Sequence, residues 1–160
     1  MMRAMRTLAL AILLTGCAPA TYTYSFDLTD PGARNVQKPG QHDVIEDADI
    51  KSELLIDPTS FQAVMLKVTN KTDGNIEINW SAISMLMPDR SQQPLQPDAG
   101  LGAVEPGATL SARLVPFQLP QMGPAAAAYD RQLFELVVPV VVRGAPRELR
   151  YHLVASAIKL

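Results

Sequence analysis

The sequence predicts an all-β protein whose strands form an antiparallel sandwich of about six to seven strands. Thirteen prolines divide the chain of 160 residues into short segments, because proline interrupts both helix interiors and central strands. Several segments alternate apolar and polar side chains, which is the pattern of a strand with one buried face. Only residues 124–131 read as one or two helical turns. A sandwich therefore fits this pattern better than an α/β fold.

The first clear strands lie before residue 82. Residues 51–56 and 61–70 read as two strands, and the second alternates strictly. Residues 70–74 supply asparagine, aspartate and glycine, which tolerate the left-handed backbone angles of tight turns. Because residues 76–81 alternate again, we expect them to form a hairpin with the preceding strand. The predicted core combines one face of these strands with that of the closing strand: Val64, Leu66, Val68, Ile76, Ile78, Trp80 and Tyr151.

Three more strands are predicted in the second half of the chain. They cover residues 110–117, 133–143 and 149–157. Residues 105–108 (EPGA) fit a type II turn, with proline at its second position and glycine at its third. Pro139 interrupts the most apolar strand. Because proline has no N–H to donate, we expect it at a sheet edge or a bend.

The amino terminus has the features of a secretory signal. Arginines within residues 1–6 precede an apolar run over residues 8–14, which is shorter than the roughly 20 apolar residues of a membrane-spanning helix. Residues 14–17 (LTGC) resemble the lipobox of bacterial lipoproteins, in which an aliphatic residue and two small ones precede a cysteine. The resemblance implies cleavage between Gly16 and Cys17 and acylation of the Cys17 thiol.

The lipobox also bears on where the protein is located. Ala18, rather than aspartate, follows the cysteine, which in lipoproteins implies transfer to the periplasmic face of the outer membrane. Several acyl chains would anchor the protein firmly, whereas one chain binds a membrane only marginally. The alternative is an ordinary signal peptide in which the cysteine is incidental.

The composition divides the chain into three parts. Residues 1–16 are the predicted lipoprotein signal peptide. Residues 17–49 contain few aliphatic side chains and many prolines, glycines and aspartates, so we predict a lipidated N-terminus and a flexible tether. Within the tether, aromatic and hydroxyl residues alternate over residues 21–26, which is also compatible with an edge strand. Residues 50–160 form the predicted β-sandwich domain.

A longer segment, over residues 60–157, resembles small, uncharacterised bacterial envelope lipoproteins. In that family an aliphatic strand ends in Thr-Asn, here residues 69–70, and the next strand has an Ile-x-Ile-x-Trp core, here residues 76–80. An aspartate then marks a turn, here Asp89, although the glycine usual in that turn is missing. Because the matching positions are core and turn residues, the resemblance implies an immunoglobulin-like sandwich on a lipid anchor and no catalytic residues.

Charge and residue content argue against several functions. The net charge of −2 gives no positive field for phosphate groups, so we expect no nucleic-acid partner. A single cysteine cannot form an internal disulfide or a cysteine-rich zinc site. The sequence also lacks the signatures of zinc proteases, serine hydrolases and phosphate-binding loops. We therefore predict that the protein is not an enzyme and needs no cofactor or metal.

Three features retain a functional alternative. His42 and His152 fit two separate surface histidines better than a metal-binding pair. Asp47 and Asp49 belong to an acidic segment that could bind calcium but lacks the ligand spacing of a calcium loop. Trp80 is in phase with the apolar side of its strand, so we expect it in the core. The alternative for Trp80 is an exposed platform on which a ligand stacks.

These observations predict a membrane-anchored, non-enzymatic binding or structural module of the bacterial cell envelope. Its partner would be the membrane, through the lipid, and an envelope protein. The loop over residues 88–107 is the longest candidate for contact with that protein. One alternative is an accessory subunit of a secretion, transport or cell-wall machine. Another is a metal-binding protein or an enzyme with an unrecognised site.

Overall fold

A computed structural model describes residues 19–28, 43–56, 64–115 and 119–160 of the chain. The predicted signal peptide, Gly16, Cys17 and His42 lie outside these residues. The described segments form two antiparallel sheets whose inner faces share one apolar core.

The first sheet is built mainly from both ends of the described chain. Its strands are β1 (Tyr22–Leu28), β5 (Glu77–Ile78), β6 (Ser84–Leu86), β7 (Gln92–Pro94), β10 (Leu133–Val142) and β11 (Ala145–Lys159). Their order is β1-β11-β10-β6-β7, and β5 pairs with the end of β10 that β6 leaves open. The long β10–β11 pair therefore forms the centre of this sheet.

The second sheet is built from the middle of the chain. Its strands are β2 (Asp43–Glu46), β3 (Ile50–Ile56), β4 (Val64–Asn70), β8 (Gln96–Pro97) and β9 (Thr109–Val115), in the order β2-β3-β4-β9-β8. Alternate side chains of β4 point into the core, as do those of β10 and β11 in the facing sheet. This alternation is the physical reason for the sandwich, because each sheet buries one face against the other.

The predicted antiparallel sandwich is confirmed. Six of its strands in the described chain are seven residues or longer, which agrees with the expected number of about six to seven. Five further strands contain only two to four residues each. Such short strands leave too little alternation in a sequence to be recognised.

The core contains most of the residues predicted for it. Six of them are at most 7% exposed: Val64, Leu66, Val68, Ile76, Ile78 and Tyr151. Trp80 is different, because it is only partly buried and lies in a 3-10 turn over Trp80–Ala82 rather than in a strand. The prediction that Trp80 belongs to the interior is therefore met only in part, because its side chain packs against the core but keeps part of its surface exposed. The chain leaves the sheet after β5, so the alternation that includes Ile78 does not continue to the tryptophan.

The predicted hairpin between β4 and the following segment is also wrong. β4 pairs with β3 and β9 in the second sheet, whereas β5 pairs with β10 in the first. The chain crosses between the sheets at Asn70, whose buried side-chain amide donates to the carbonyls of Gly74 (2.7 Å) and Val104 (2.8 Å). Its amide oxygen accepts from the backbone N–H of Thr72 at 2.8 Å. These bonds fix a corner rather than a two-strand turn.

The boundary of the sandwich lies earlier than the predicted residue 50. Residues 22–28 form β1, paired along its whole length with β11, and Tyr24 and Phe26 are buried in the core. Residues 43–46 form β2, which pairs with β3. Two segments of the predicted tether are thus strands of the sandwich. The alternation over residues 21–26 was the correct indication, and the loop-like composition around it was misleading.

Pro139 lies in a central strand rather than at an edge, which corrects its predicted place. It pairs with Glu148 of β11 on one side. On its other side its carbonyl accepts from Asn79 N–H at 3.0 Å, at the interruption between β5 and β6. The N–H that proline lacks would point to this same side, where the neighbouring strand is broken. The strand therefore tolerates proline there without losing a regular pairing.

One predicted turn and one predicted helical segment are found in the described residues. Gly107 has a φ of 71°, and Ala108 N–H donates to the Glu105 carbonyl at 3.0 Å, which is the geometry of a type II turn. A short helix, α1 (Gly123–Ala127), occupies the start of the segment predicted to be helical.

Candidate functional site

The partly buried tryptophan lines an open cleft at the side of the sandwich. This Trp80 cleft has a volume of about 380 Å³ and is lined by Trp80, Ser81, Gln96, Pro97, Asp98, Ala99 and Gly100. The indole N–H of Trp80 donates to the Gly102 carbonyl at 3.3 Å. This bond attaches the ring to the loop over residues 88–107, which the sequence indicated as a contact candidate.

Both walls of the Trp80 cleft are held by backbone pairing. Leu95, which is fully buried, donates its N–H to the Ile83 carbonyl at 2.9 Å and so joins the loop to the first sheet. Gln96 and Pro97 form β8 and pair with β9 of the second sheet. Asp98 N–H donates to the Arg113 carbonyl at 2.9 Å. The cleft therefore lies where the two sheets meet, and backbone hydrogen bonds to both sheets hold its walls in place.

The chemistry of this cleft suits non-covalent recognition. An indole ring and a proline ring provide apolar surface, and they lie beside a hydroxyl, an amide and a carboxylate. The Asp98 carboxylate is 3.6 Å from the Arg113 guanidinium, and both side chains remain largely exposed. The Ser81 hydroxyl donates to Asn79 Oδ1 at 2.9 Å. Tryptophan is enriched among the residues that contribute most to protein binding, and the rim around such residues is polar.

A second cleft, of about 570 Å³, lies on the outer face of the first sheet around Pro139. Its charged lining residues already have partners. Arg147 forms an ion pair with Asp47, and Arg150 forms ion pairs with Glu148 and Glu135. This cleft therefore offers fewer unpaired groups for recognition than its size suggests.

The acidic segment, with its predicted calcium alternative, forms a cluster of ion pairs at one end of the sandwich. This end cluster comprises Glu46, Asp47, Asp49, Lys71, Asp73, Arg143 and Arg147. It joins the turn between β2 and β3 to the turn between β10 and β11, and hence one sheet to the other.

Arginine side chains are the partners of the aspartates in the end cluster. Asp47 contacts Arg147, and its Oδ1 also accepts from the N–H groups of Asp49 (2.8 Å) and Ile50 (2.9 Å). The Arg147 guanidinium is the main reason why the pKa of Asp47 is lowered to about 2. Asp49 Oδ1 is 3.0 Å from Arg143 Nε. The ion pairs of this cluster therefore link the two sheets at this end of the sandwich.

His152 lies on the outer face of the first sheet. Its Nε2 is 3.6 Å from Glu135 Oε1, and Arg150 contacts the same carboxylate. Within the described parts of the chain, no three His, Cys, Asp or Glu side chains are arranged to hold a metal ion. The distance between His152 and His42 is not defined, because His42 lies outside those parts. Within the described segments, no helix is long and apolar enough to cross a membrane.

The sequence indicates two parts of the Trp80 cleft, namely Trp80 as an alternative stacking platform and the loop over residues 88–107, but not the loop residues that line it. Gln96, Pro97 and Asp98 are ordinary loop residues in sequence, and only their pairing with β9 places them beside the indole. No pattern signals the position of Trp80, because in the sequence it stays in phase with Ile76 and Ile78, whereas in the structure β5 ends at Ile78.

The matches between this chain and known proteins are few and weak. No family model matches it, and none of the curated proteins does. Among solved structures, the chain is similar to the GAE domain of GGA2p from Saccharomyces cerevisiae, with 14% identity and a TM-score of 0.29. The match covers 75% of this chain and 97% of that one. A likeness this weak supports no conclusion about function, and the fold stated above rests on the strand pairing itself.

Proposed function

We propose that this chain is a membrane-anchored bacterial lipoprotein whose sandwich is a non-enzymatic binding module of the cell envelope. The lipobox at residues 14–17 supports the anchor, and Ala18 supports the periplasmic face of the outer membrane. The observation that carries the binding role is the position of Trp80, the only tryptophan of the chain, at the margin of the core, where part of its side chain lines a surface cleft.

The Trp80 indole is only partly buried. A tryptophan side chain gains most when it is fully buried, yet this one keeps part of its surface at the cleft beside Pro97. A protein partner that covers the indole would complete that burial. Because β8 lies at the end of the strand order in its sheet, an extended partner segment could also reach strand backbone beside the ring.

A site-specific cross-linking experiment tests this function. A photoreactive amino acid replaces Gln96 in the full-length, acylated protein in a bacterial host, and covalent partners are identified by mass spectrometry. The matched control places the same amino acid at Val44, an exposed residue on β2, at the opposite end of the second sheet's strand order. We expect one or two envelope proteins at the Gln96 position and not at the control position.

Two substitutions test whether capture of a partner depends on the Trp80 indole and on the lipid anchor. Trp80→Ala should weaken capture at least 10-fold, because hot-spot tryptophans contribute about 2 kcal/mol or more to binding. Cys17→Ser should abolish capture of a partner that is met only at the membrane. Identical partners at Gln96 and Val44, or capture unchanged by Trp80→Ala, would refute the binding role of the cleft. Near-stoichiometric recovery of one complex would indicate the accessory subunit of a larger machine.

A further inference from the structure

The end of the first sheet next to the anchor carries exposed apolar side chains. Met122, Ile158 and Leu160 are 60%, 48% and 77% exposed. Thr21 forms a bridge with Met122, and its carbonyl accepts from Leu160 N–H at 3.0 Å on the other side. Met122, Thr21 and Leu160 therefore lie side by side across the sheet, with Thr21 in the middle.

The next row of the sheet extends this surface. Thr23 is directly opposite Ile158 in the pairing of β1 with β11. Side chains that are paired across antiparallel strands, or two residues apart along one strand, lie on the same face. Met122, Ile158 and Leu160 therefore lie on the same outer face of the first sheet, with Thr21 between Met122 and Leu160, and we call these three residues the anchor-side patch.

The chain length between this patch and the predicted lipid is short. Ala20 and Tyr22 are fixed in place, since the Ala20 carbonyl accepts from Gly123 N–H (2.9 Å) and Tyr22 N–H donates to the Gln121 carbonyl (2.8 Å). Cys17 is three residues before Ala20, and three residues span at most about 11 Å. Acyl chains on Cys17 would thus enter the membrane within about that distance of Ala20.

The opposite end of β11 lies in the end cluster of ion pairs. β11 runs from the end cluster, which includes Arg147, to Ile158 in the anchor-side patch. At about 3.3 Å per residue these two residues are about 36 Å apart along the strand. One end of the sandwich is therefore rich in ion pairs, and the end that the anchor holds to the membrane presents apolar side chains.

We propose that the anchor-side patch inserts into the lipid surface that holds the acyl chains of Cys17, so that the sandwich stands on the membrane in one orientation. This inference rests on the proposed lipidation. Apolar side chains at a membrane surface enter the boundary between headgroups and acyl chains. The tether predicted over residues 17–49 would allow free rotation, whereas β1 leaves only four residues between Cys17 and the first sheet.

Labels of membrane depth test this orientation in the acylated protein. The chain has one cysteine, and acylation occupies its thiol, so a second cysteine can be labelled alone. Ile158→Cys and Met122→Cys each receive the environment-sensitive fluorophore NBD. Val44→Cys is the control, because Val44 is similarly exposed, at 45%, and lies near the end cluster on β2. Each protein is reconstituted in phosphatidylethanolamine and phosphatidylglycerol vesicles that contain nitroxide-labelled lipid.

We expect blue-shifted emission at positions 122 and 158, strong quenching of that emission by the nitroxide lipid, and little quenching at position 44. Quenching at 122 and 158 no greater than at 44 in acylated protein would overturn the orientation and leave the anchor intact. A blue shift that is already present without vesicles and grows with protein concentration would show a second copy on the patch instead. If the mass of the intact protein shows no acyl chains, the proposed lipid anchor is refuted as well.

Discussion

Replacement of Asn70 by aspartate tests the corner at which the chain passes from one sheet to the other. Asn70 is 1% exposed, and its Nδ2 donates to two carbonyls, those of Gly74 and Val104, at 2.7 and 2.8 Å. Asn70→Asp conserves the shape of the side chain and the oxygen that accepts from Thr72. It replaces the donor nitrogen by an oxygen that faces two other oxygens.

The expected change in the free energy of unfolding follows from the hydrogen bonds that Asn70→Asp removes. Two buried hydrogen bonds contribute about 1 kcal/mol each, and a buried, unpaired carboxylate adds about 1–3 kcal/mol. We therefore expect a loss of about 4 kcal/mol in the free energy of unfolding at pH 7. A protonated carboxyl could donate to one of the carbonyls, so the folded state raises the pKa of the introduced group. The folded state then binds the extra proton, and the loss should shrink as the pH falls.

Urea unfolding followed by circular dichroism at pH 7 and pH 4.5 measures this effect. Asp73→Asn is the matched control, because the Asp73 side chain is 90% exposed on the same connection and should change stability by no more than about 0.5 kcal/mol. A loss below about 1 kcal/mol for Asn70→Asp at pH 7, or the same loss at both pH values, would refute the argument that the Asn70 amide holds this corner.

Three further predictions concern stability. The pKa of Asp47 is lowered from 3.8 to about 2, so its pair with Arg147 should add about 1 kcal/mol, reduced by solvent screening. This contribution is present above about pH 4 and is lost as the pH falls toward 2, so urea midpoints of the wild type and Asp47→Asn should converge there. Gly107→Ala should cost about 1 kcal/mol, because Gly107 has a φ of 71° and open space around it, whereas Gly74→Ala should be nearly neutral; equal thermal midpoints would contradict this. Tyr24→Phe should cost about 1–2 kcal/mol, since the hydroxyl is within hydrogen-bonding distance of two carbonyls, those of Pro120 (2.5 Å) and Ala126 (3.0 Å), and an unchanged urea midpoint would count against this hydrogen bonding.

The sequence was sufficient for the fold class because alternation and proline spacing are local properties. Val64, Leu66 and Val68 alternate in a single strand, and their burial required no knowledge of distant residues. Alternation does not say which sheet a strand joins. For that reason Ile76 and Ile78 were correctly predicted as core residues but wrongly assigned to a hairpin with β4.

Other features depend on contacts between distant parts of the chain. Asp47 and Arg147 are a hundred positions apart, and only the pairing of the sheets brings them into contact. The strand over residues 22–28 was obscured by the prolines and glycines that follow it, although its partner β11 supplies a full ladder of pairs. The Trp80 cleft likewise exists only because the first and second sheets meet beside the loop over residues 88–107.

Both proposals depend on the modification of Cys17, and its intact mass is the most direct test. The full-length chain is expressed in a bacterial host, and the mature protein is isolated from the membrane fraction and weighed by mass spectrometry beside Cys17→Ser. We expect a chain that begins at Cys17, heavier than its sequence by a diacylglycerol and carrying up to one further acyl chain. A mature chain cleaved elsewhere, or one with an unmodified thiol, would contradict the lipoprotein assignment.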